Sequence, residues 1–197
     1  MKTRPRFLFV VLVTFGVTTL VTRADAKKPA PAAPAANATP TRAFQSEFLG
    51  LLDEVQKKIL SLEDAVPADK FTWRPAPGVR SIAEAYLHIA FGNYTFTRTA
   101  TGKEPPADAG WEMNRPKWDT KTTDKVEIKK VLEKSFDHVR TVMKDVEDAD
   151  LDKKVSFFGH EMTERAVFMS LLGHLNEHMG QEVAYARANG VVPPWSH

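Results

Sequence analysis

Residues 163–190, TERAVFMSLLGHLNEHMGQEVAYARANG, carry the pattern that decides the fold. Phe168, Leu172, Leu175, Met179, Val183 and Ala186 recur at intervals of three and four, which places them on one apolar stripe of an α-helix. The helix starts near Thr163, and Asn189-Gly190 followed by Pro193-Pro194 stops it. His174 and His178 stand four residues apart, so both imidazoles project from one face, which continues with Val167, Leu171, Gln181 and Tyr185. Gly173, Asn176, Gly180 and Arg187 occupy the opposite side. The two histidines therefore border the apolar stripe and face whatever the helix packs against.

Three more amphipathic helices precede this one. The first carries Phe44, Phe48, Leu51, Leu52, Val55, Ile59 and Leu62 and ends near Pro67. The second begins at Ser81, where Ser81 and Glu84 have the spacing of a capping box, and runs through Ile82, Ile89 and Phe96 to about Ala100. The third runs from Asp124 through Ile128, Val131, Leu132, Phe136, Val139, Val142 and Met143 to Val146. Four such helices with no convincing set of strands predict an all-α fold, an antiparallel four-helix bundle. The connections at 67–80 and 102–123, between helices 1–2 and 2–3, are longer than bundle turns usually are. They carry Trp73, Trp111 and Trp118, rings that either cover a pocket or plug the end of the core.

The N-terminal part reads differently. Lys2, Arg4 and Arg6 precede an apolar run from Phe7 to Val21 and then Ala24-Asp25-Ala26, the three regions of a secretory signal, so residues 1–26 are expected to be a signal peptide. The run falls short of the roughly 20 apolar residues a comfortable transmembrane helix needs. An uncleaved anchor is the lesser alternative, and no stable membrane span is expected after cleavage. Residues 27–41 form an Ala/Pro-rich linker too poor in large apolar groups to offset the entropy of ordering. The folded domain is then 42–197, and the protein is expected to be exported, periplasmic or extracellular. Its charge follows the same division. Residues 1–26 hold Lys2, Arg4, Arg6, Arg23 and Asp25, so the rest of the chain keeps 23 of the 27 basic and 24 of the 25 acidic residues. That near-neutral balance, with no basic stripe, argues against nucleic acid as a partner. The chain has no cysteine, which removes disulfides, thiolate nucleophiles and thiolate ligands together, so any metal must be held by nitrogen or oxygen.

The chemistry-bearing residues are histidines. An i, i+4 pair can present two imidazoles to one divalent ion, although such pairs are also found as surface or hydrogen-bonded core residues. His88 supplies a third candidate: it lies midway along the second helix with Ala85 and Gly92 on its own face, small neighbours that leave room for an ion and a ligand. Its alternative is a buried imidazole satisfied by a carbonyl or carboxylate.

The segment Trp73-Arg74-Pro75-Ala76-Pro77-Gly78-Val79-Arg80-Ser81-Ile82-Ala83-Glu84-Ala85-Tyr86-Leu87-His88 resembles the approach of the DinB-like superfamily to its first metal histidine. His174-Leu175-Asn176-Glu177-His178-Met179-Gly180-Gln181, followed by Asn189-Gly190-Val191-Val192-Pro193-Pro194-Trp195-Ser196, resembles its final helix and tail. The resemblance covers roughly residues 42–196 in element order and is specific in these two blocks. It implies a three-histidine metal site at His88, His174 and His178 with one divalent ion, zinc first, nickel, iron or manganese also compatible. Three neutral imidazoles with an open position are similar to a catalytic rather than a structural zinc site. A metal-dependent hydrolase or transferase acting on a small molecule is the expected function, and a non-catalytic metal- or ligand-binding module of the cell envelope is the alternative. Relatives in that superfamily include transferases that use low-molecular-weight thiols; export argues against that chemistry, because such thiols are concentrated in the cytoplasm. The resemblance also makes a homodimer plausible.

Metal-bound histidines usually donate their other nitrogen to an acceptor. Glu84, one turn before His88, is a candidate for that role or for proton transfer, with the capping box as its alternative. Gln181 is a further partner candidate, whereas Glu177 lies off the histidine face and is expected in solvent. Asn93 and Tyr185 are candidates for orienting a substrate or completing the polar lining. His138 is expected to face water among Lys134, Asp137 and Arg140, and His160 and His197 are assigned no role.

Overall fold

The computed structural model describes residues 42–196, so the signal-peptide and linker segments inferred from the sequence, and His197, lie outside the described residues. Each long helix starts or stops where local chemistry satisfies its free backbone groups. Helix α1, Ala43–Ala65, ends as Val66 turns extended, the conformation that the following Pro67 requires. In helix α2, Ile82–Thr101, the Ser81 hydroxyl accepts from the Glu84 N–H at 3.3 Å while the Glu84 carboxylate accepts from the Ser81 N–H at 3.0 Å. Gly102, left-handed at φ 72°, closes its C-terminus without a Cβ penalty. A single turn, α3 (Arg115–Asp119), interrupts the long connection to α4, Lys125–Met143, whose N-terminus is capped by the Asp124 carboxylate. The Thr163 hydroxyl caps α5, Glu164–Ala188.

The structure departs from the all-helical expectation in one element. Strands β1 (Lys154–Phe157) and β2 (His160–Thr163) form an antiparallel hairpin with Lys154 opposite Thr163 and Phe157 opposite His160. Four-residue strands are too short to show a convincing alternation, and the turn lacks the usual Asn-Gly signature. Phe158 (φ 48°) and Gly159 (φ 83°) occupy that turn. A phenylalanine held left-handed costs on the order of 1 kcal/mol.

Around the bundle, α2 packs against α4 and α5, and α1 packs against the same two. Helices α1 and α2 thus occupy opposite corners although they are consecutive in the chain, which is why the 66–81 connection must be long. Phe48, Leu52, Val55, Ile59 and Leu62 of α1 meet Ile128, Leu132, Phe136 and Val139 of α4 and Val167, Phe168, Leu171 and Leu175 of α5 in one apolar core. Helix α2 is buried around nearly its whole circumference, because α3 covers the side that the other long helices leave open. Trp118 of α3 is buried and donates its indole N–H to the Leu87 carbonyl at 2.8 Å. Among the described residues no helix is long and apolar enough to cross a membrane.

Polar groups fasten α2 to α4. The Asn93 amide donates to the Ser135 hydroxyl at 2.9 Å, and the His138 ring lies 5.2 Å from Tyr94. His138 is therefore buried, contrary to the expectation that it faces water: it shares a face of α4 with Ser135 and Val142, and burial lowers its pKa. Its charged sequence neighbours lie on the adjacent, outer face.

Two carboxyl groups sit within the bundle. Glu182 on α5 is 1 % exposed, and among the described residues neither of its oxygens nor the Tyr86 hydroxyl has a hydrogen-bond partner. Burial pushes the Glu182 carboxyl well above its ordinary range, and Glu63 of α1, also buried, rises to about 7 with Lys125 partly opposing the effect. A folded chain that keeps a proton on Glu182 loses stability as pH rises past the ordinary carboxyl pKa, since the unfolded chain releases that proton. Glu182→Met is expected to stabilise the protein at about pH 8 by about 1–3 kcal/mol and to flatten the decline in stability from about pH 5 upward. Urea denaturation of both chains at the two pH values checks this.

Candidate metal centre

His88 comes from the middle of α2 and His174 and His178 from successive turns of α5. Their ring centroids are 4.5, 4.7 and 5.1 Å apart. One ring nitrogen of each lies within 4.8 Å of the others, and the Nε2 atoms of His88 and His174 are 3.3 Å apart. Two nitrogens bound to one tetrahedral ion at about 2.0–2.1 Å are separated by about 3.3 Å, so this pair has the spacing of two ligands on a common ion. A single N–H···N hydrogen bond would also suit that distance, but it gives no reason for a third imidazole to converge on the same point.

Backbone approach makes this convergence sterically feasible. A Cβ on Gly92 would lie 2.3 Å from Cε1 of His174 and 2.7 Å from its Nδ1, so only glycine lets α2 and α5 come this close with an imidazole between them. The Phe96 ring, 5.2 Å away, walls the other side of His174. His88 and His178 are buried and His174 is half-buried, facing a cavity. Burial, reinforced by the neighbouring His178, His88 and Arg80, lowers the His174 pKa to about 3; burial likewise lowers that of His178, against the opposing effect of its hydrogen bond to the Gln181 side-chain oxygen. Both rings are neutral at pH 7 and keep the lone pair that a metal requires.

The outer nitrogens are handled differently. His178 Nδ1 lies 2.9 Å from Oε1 of Gln181, and the Gln181 amide donates to the Tyr185 hydroxyl at 2.7 Å. An Nδ1–H donated to Gln181 leaves His178 Nε2 as the free acceptor facing the other two rings. Tyr185 acts at one remove, braced edge-on by Trp73 at 5.4 Å. Asp119 Oδ2 stands 3.4 Å from His88 Nδ1 and accepts from Arg80 Nε at 3.0 Å. The His88–Asp119 contact is not aligned as a hydrogen bond, and among the described residues neither His88 Nδ1 nor His174 Nδ1, both buried, has a hydrogen-bond partner. Asp119 was not among the residues singled out from the sequence; the only available signal was its position after Trp118, whose ring anchors α3 beside His88.

Glu84, a sequence candidate for proton transfer, is committed elsewhere: its carboxylate closes the capping box and grips Arg74 at 2.6 and 3.2 Å. Asn93, a candidate for orienting substrate, is fully buried in the α2–α4 contact with Ser135 and takes no part in the cavity lining. Glu177 is exposed.

Residues 51–181 match the model of the DinB superfamily. The chain belongs to the DinB superfamily. A DinB-like protein from Bacillus cereus shares 20% identity at a TM-score of 0.66, over 77% of this chain and 97% of its own. A DinB-like protein from Bacillus subtilis shares 17% identity at a TM-score of 0.57, over 73% and 92%. YfiT of Bacillus subtilis, described as a probable metal-dependent hydrolase with an unusual four-helix bundle topology, shares 16% identity at a TM-score of 0.57, over 79% and 93%. No curated protein matches this chain. At these identities the DinB-like structures establish a common fold.

Gly92→Ala is expected to push the His174 ring out of the cluster and to lower metal affinity by at least tenfold with little loss of helix content, because alanine is itself a good helix former. Zinc titration followed by calorimetry, with circular dichroism as the folding control, checks this.

Proposed function

We propose that this DinB protein binds one divalent metal ion, zinc first, through His88, His174 and His178, and acts as a metal-dependent hydrolase or transferase on a small molecule outside the cytoplasm. The observation that carries the reading is the convergence of three imidazoles, two of them 3.3 Å apart at Nε2, on a point bordering a cavity of about 490 Å³. Three neutral nitrogen donors suit zinc and leave both the charge of the ion and part of its coordination sphere available. A bound divalent ion would supply Lewis acidity, polarising a carbonyl or phosphoryl oxygen or activating water at neutral pH.

The protein's own groups do the rest. Gln181 holds His178 in one tautomer, and Asp119, itself held by Arg80, lies 3.4 Å from His88 Nδ1 as the nearest carboxylate to accept a hydrogen bond from its N–H. Phe91 and Phe96 give the cavity an apolar wall beside His88 and His174. The charged, apolar and small-residue regions of residues 1–26 support export.

Elemental analysis of full-length protein purified without chelator or histidine tag is expected to find about one equivalent of zinc, falling close to zero in His88→Ala. A metal content far below one equivalent, unchanged by that substitution, would sink the proposal. Asp119→Asn is expected to weaken metal binding by about 10–100-fold while leaving one site per chain; competition with a chromogenic chelator measures it. Turnover of the zinc protein on ester, amide and phosphate panels, absent in His88→Ala, separates the enzyme from a binding module.

A further inference from the structure

Two openings flank the histidine cluster, and their characters differ. The first, about 490 Å³, runs from His88 and His174 between Phe91, Phe96, Met113 and Phe158. The second, about 510 Å³, is polar and holds Arg80, Glu84, Asp119 and Gln181. Arg115 and Pro116 of α3 line both, so the arginine stands where the apolar space meets the polar one. Most nearby cations are already engaged: Arg80 holds Asp119, Arg74 holds Glu84, and Arg98 holds Glu104. Arg115 is exposed and, among the described residues, forms no ion pair.

The apolar opening has a second unexplained property. Phe158 is 78 % exposed and Met113 61 %, among the largest apolar exposures of the described residues, and both border this cavity. Phe158 also holds the left-handed backbone of the hairpin turn, a place where glycine or asparagine would relieve strain and shed apolar surface together. Folding gains from neither feature. Its ring packs tilted against Phe157 at 4.4 Å, and Phe157 packs on Phe96 at 4.8 Å, so the hairpin extends the aromatic wall of the cavity outward from His174. A bound apolar group would cover that wall.

We infer that the substrate of this site is a small amphipathic acid, with an apolar body lying against Phe91, Phe96 and Phe158 and a carboxylate paired with Arg115. The inference rests on the metal-site reading above, because that reading places the reacting group between the two ends. The volume suits a body of roughly 10–20 non-hydrogen atoms. An exposed guanidinium at the edge of a low-dielectric wall selects for charge by pairing bidentately with a planar carboxylate.

Calorimetric titration of the zinc-loaded full chain with 4-phenylbutyrate, its uncharged counterpart 4-phenylbutanol, and butyrate tests this. The phenyl acid is expected to bind about tenfold more tightly than the alcohol and than butyrate. Arg115→Gln is expected to abolish the preference for acid over alcohol while leaving alcohol binding unchanged. Phe158→Gly is expected to weaken acid and alcohol alike by about tenfold while thermal stability is kept or raised, an outcome that a merely structural role for Phe158 would not produce. Equal affinity for acid and alcohol, a preference that survives Arg115→Gln, or no binding at millimolar acid by protein carrying a full equivalent of zinc each overturns the inference and leaves the metal site standing. Acid binding with the expected selectivity by a chain that takes up no zinc would instead overturn the metal-site reading alone.

Discussion

The contact between the Gly92 backbone and the His174 ring is the constraint on which the rest of the structure depends. An imidazole lies in the seam between α2 and α5, where any side chain on α2 at that level would collide with it. Closing the seam this tightly brings His88, one turn earlier on α2, into range of both histidines on α5. It also buries α2 on every side, so the helix needs a cover where α4 and α5 do not reach. The long connection between α2 and α4 meets that need with Trp118, whose indole bonds directly to the α2 backbone at Leu87.

The same cover completes the site. Fixing Trp118 against Leu87 fixes Asp119 against His88, the next residue on each side of the contact. Packing and chemistry are thus set by one anchor, and the carboxylate gains precision from an aromatic ring that is part of the core. Desolvation has two consequences here: it lowers the pKa of His174 and His178, which suits metal binding, and it makes the outer Nδ1 atoms of His88 and His174, unpartnered among the described residues, costly to bury. Such a cluster is better explained as a binding site than as a device for stabilising the bundle, because replacing its members with apolar groups would serve packing better.

The four helices were legible because each has a long periodic stripe and clear end signals: Ser81 with Glu84, Asp124 and Thr163 all cap as their residue types suggest. The histidine pair was legible for the same reason, since i, i+4 spacing is a local property of one helix. What failed to show was whatever depended on packing between elements. Asp119 reaches His88 across 31 residues of chain, and no spacing rule joins a loop aspartate to a helix histidine. Glu84 had two locally plausible roles, and the nearby Arg74 reinforced the cap. Asn93 and His138 carry the polarity of surface or site residues, yet each finds its partner across the α2–α4 contact. On α5 the stripe of Phe168, Leu172, Leu175 and Ala186 is buried, and so is the histidine face through Val167, Leu171, His178 and Tyr185, while Met179 and Val183 are only partly buried; Glu182, buried between them, is the residue that a hydrophobicity count left out.

The donor set bears on where such a site can work. With no cysteine in the chain, the cluster offers nitrogen donors alone and has no thiolate that oxidation could remove. For a protein proposed to act outside the cytoplasm, this keeps the site intact where thiols are readily oxidised. Nitrogen donors pose a different hazard, because protonation competes with the metal. Burial counters it at His174, whose pKa it lowers to about 3, so protonation of that ring competes less with a metal than it would at an exposed imidazole. The tight seam at Gly92 therefore provides more than proximity. By burying much of the His174 ring, it also weakens the competition from protons at that one of the three nitrogens.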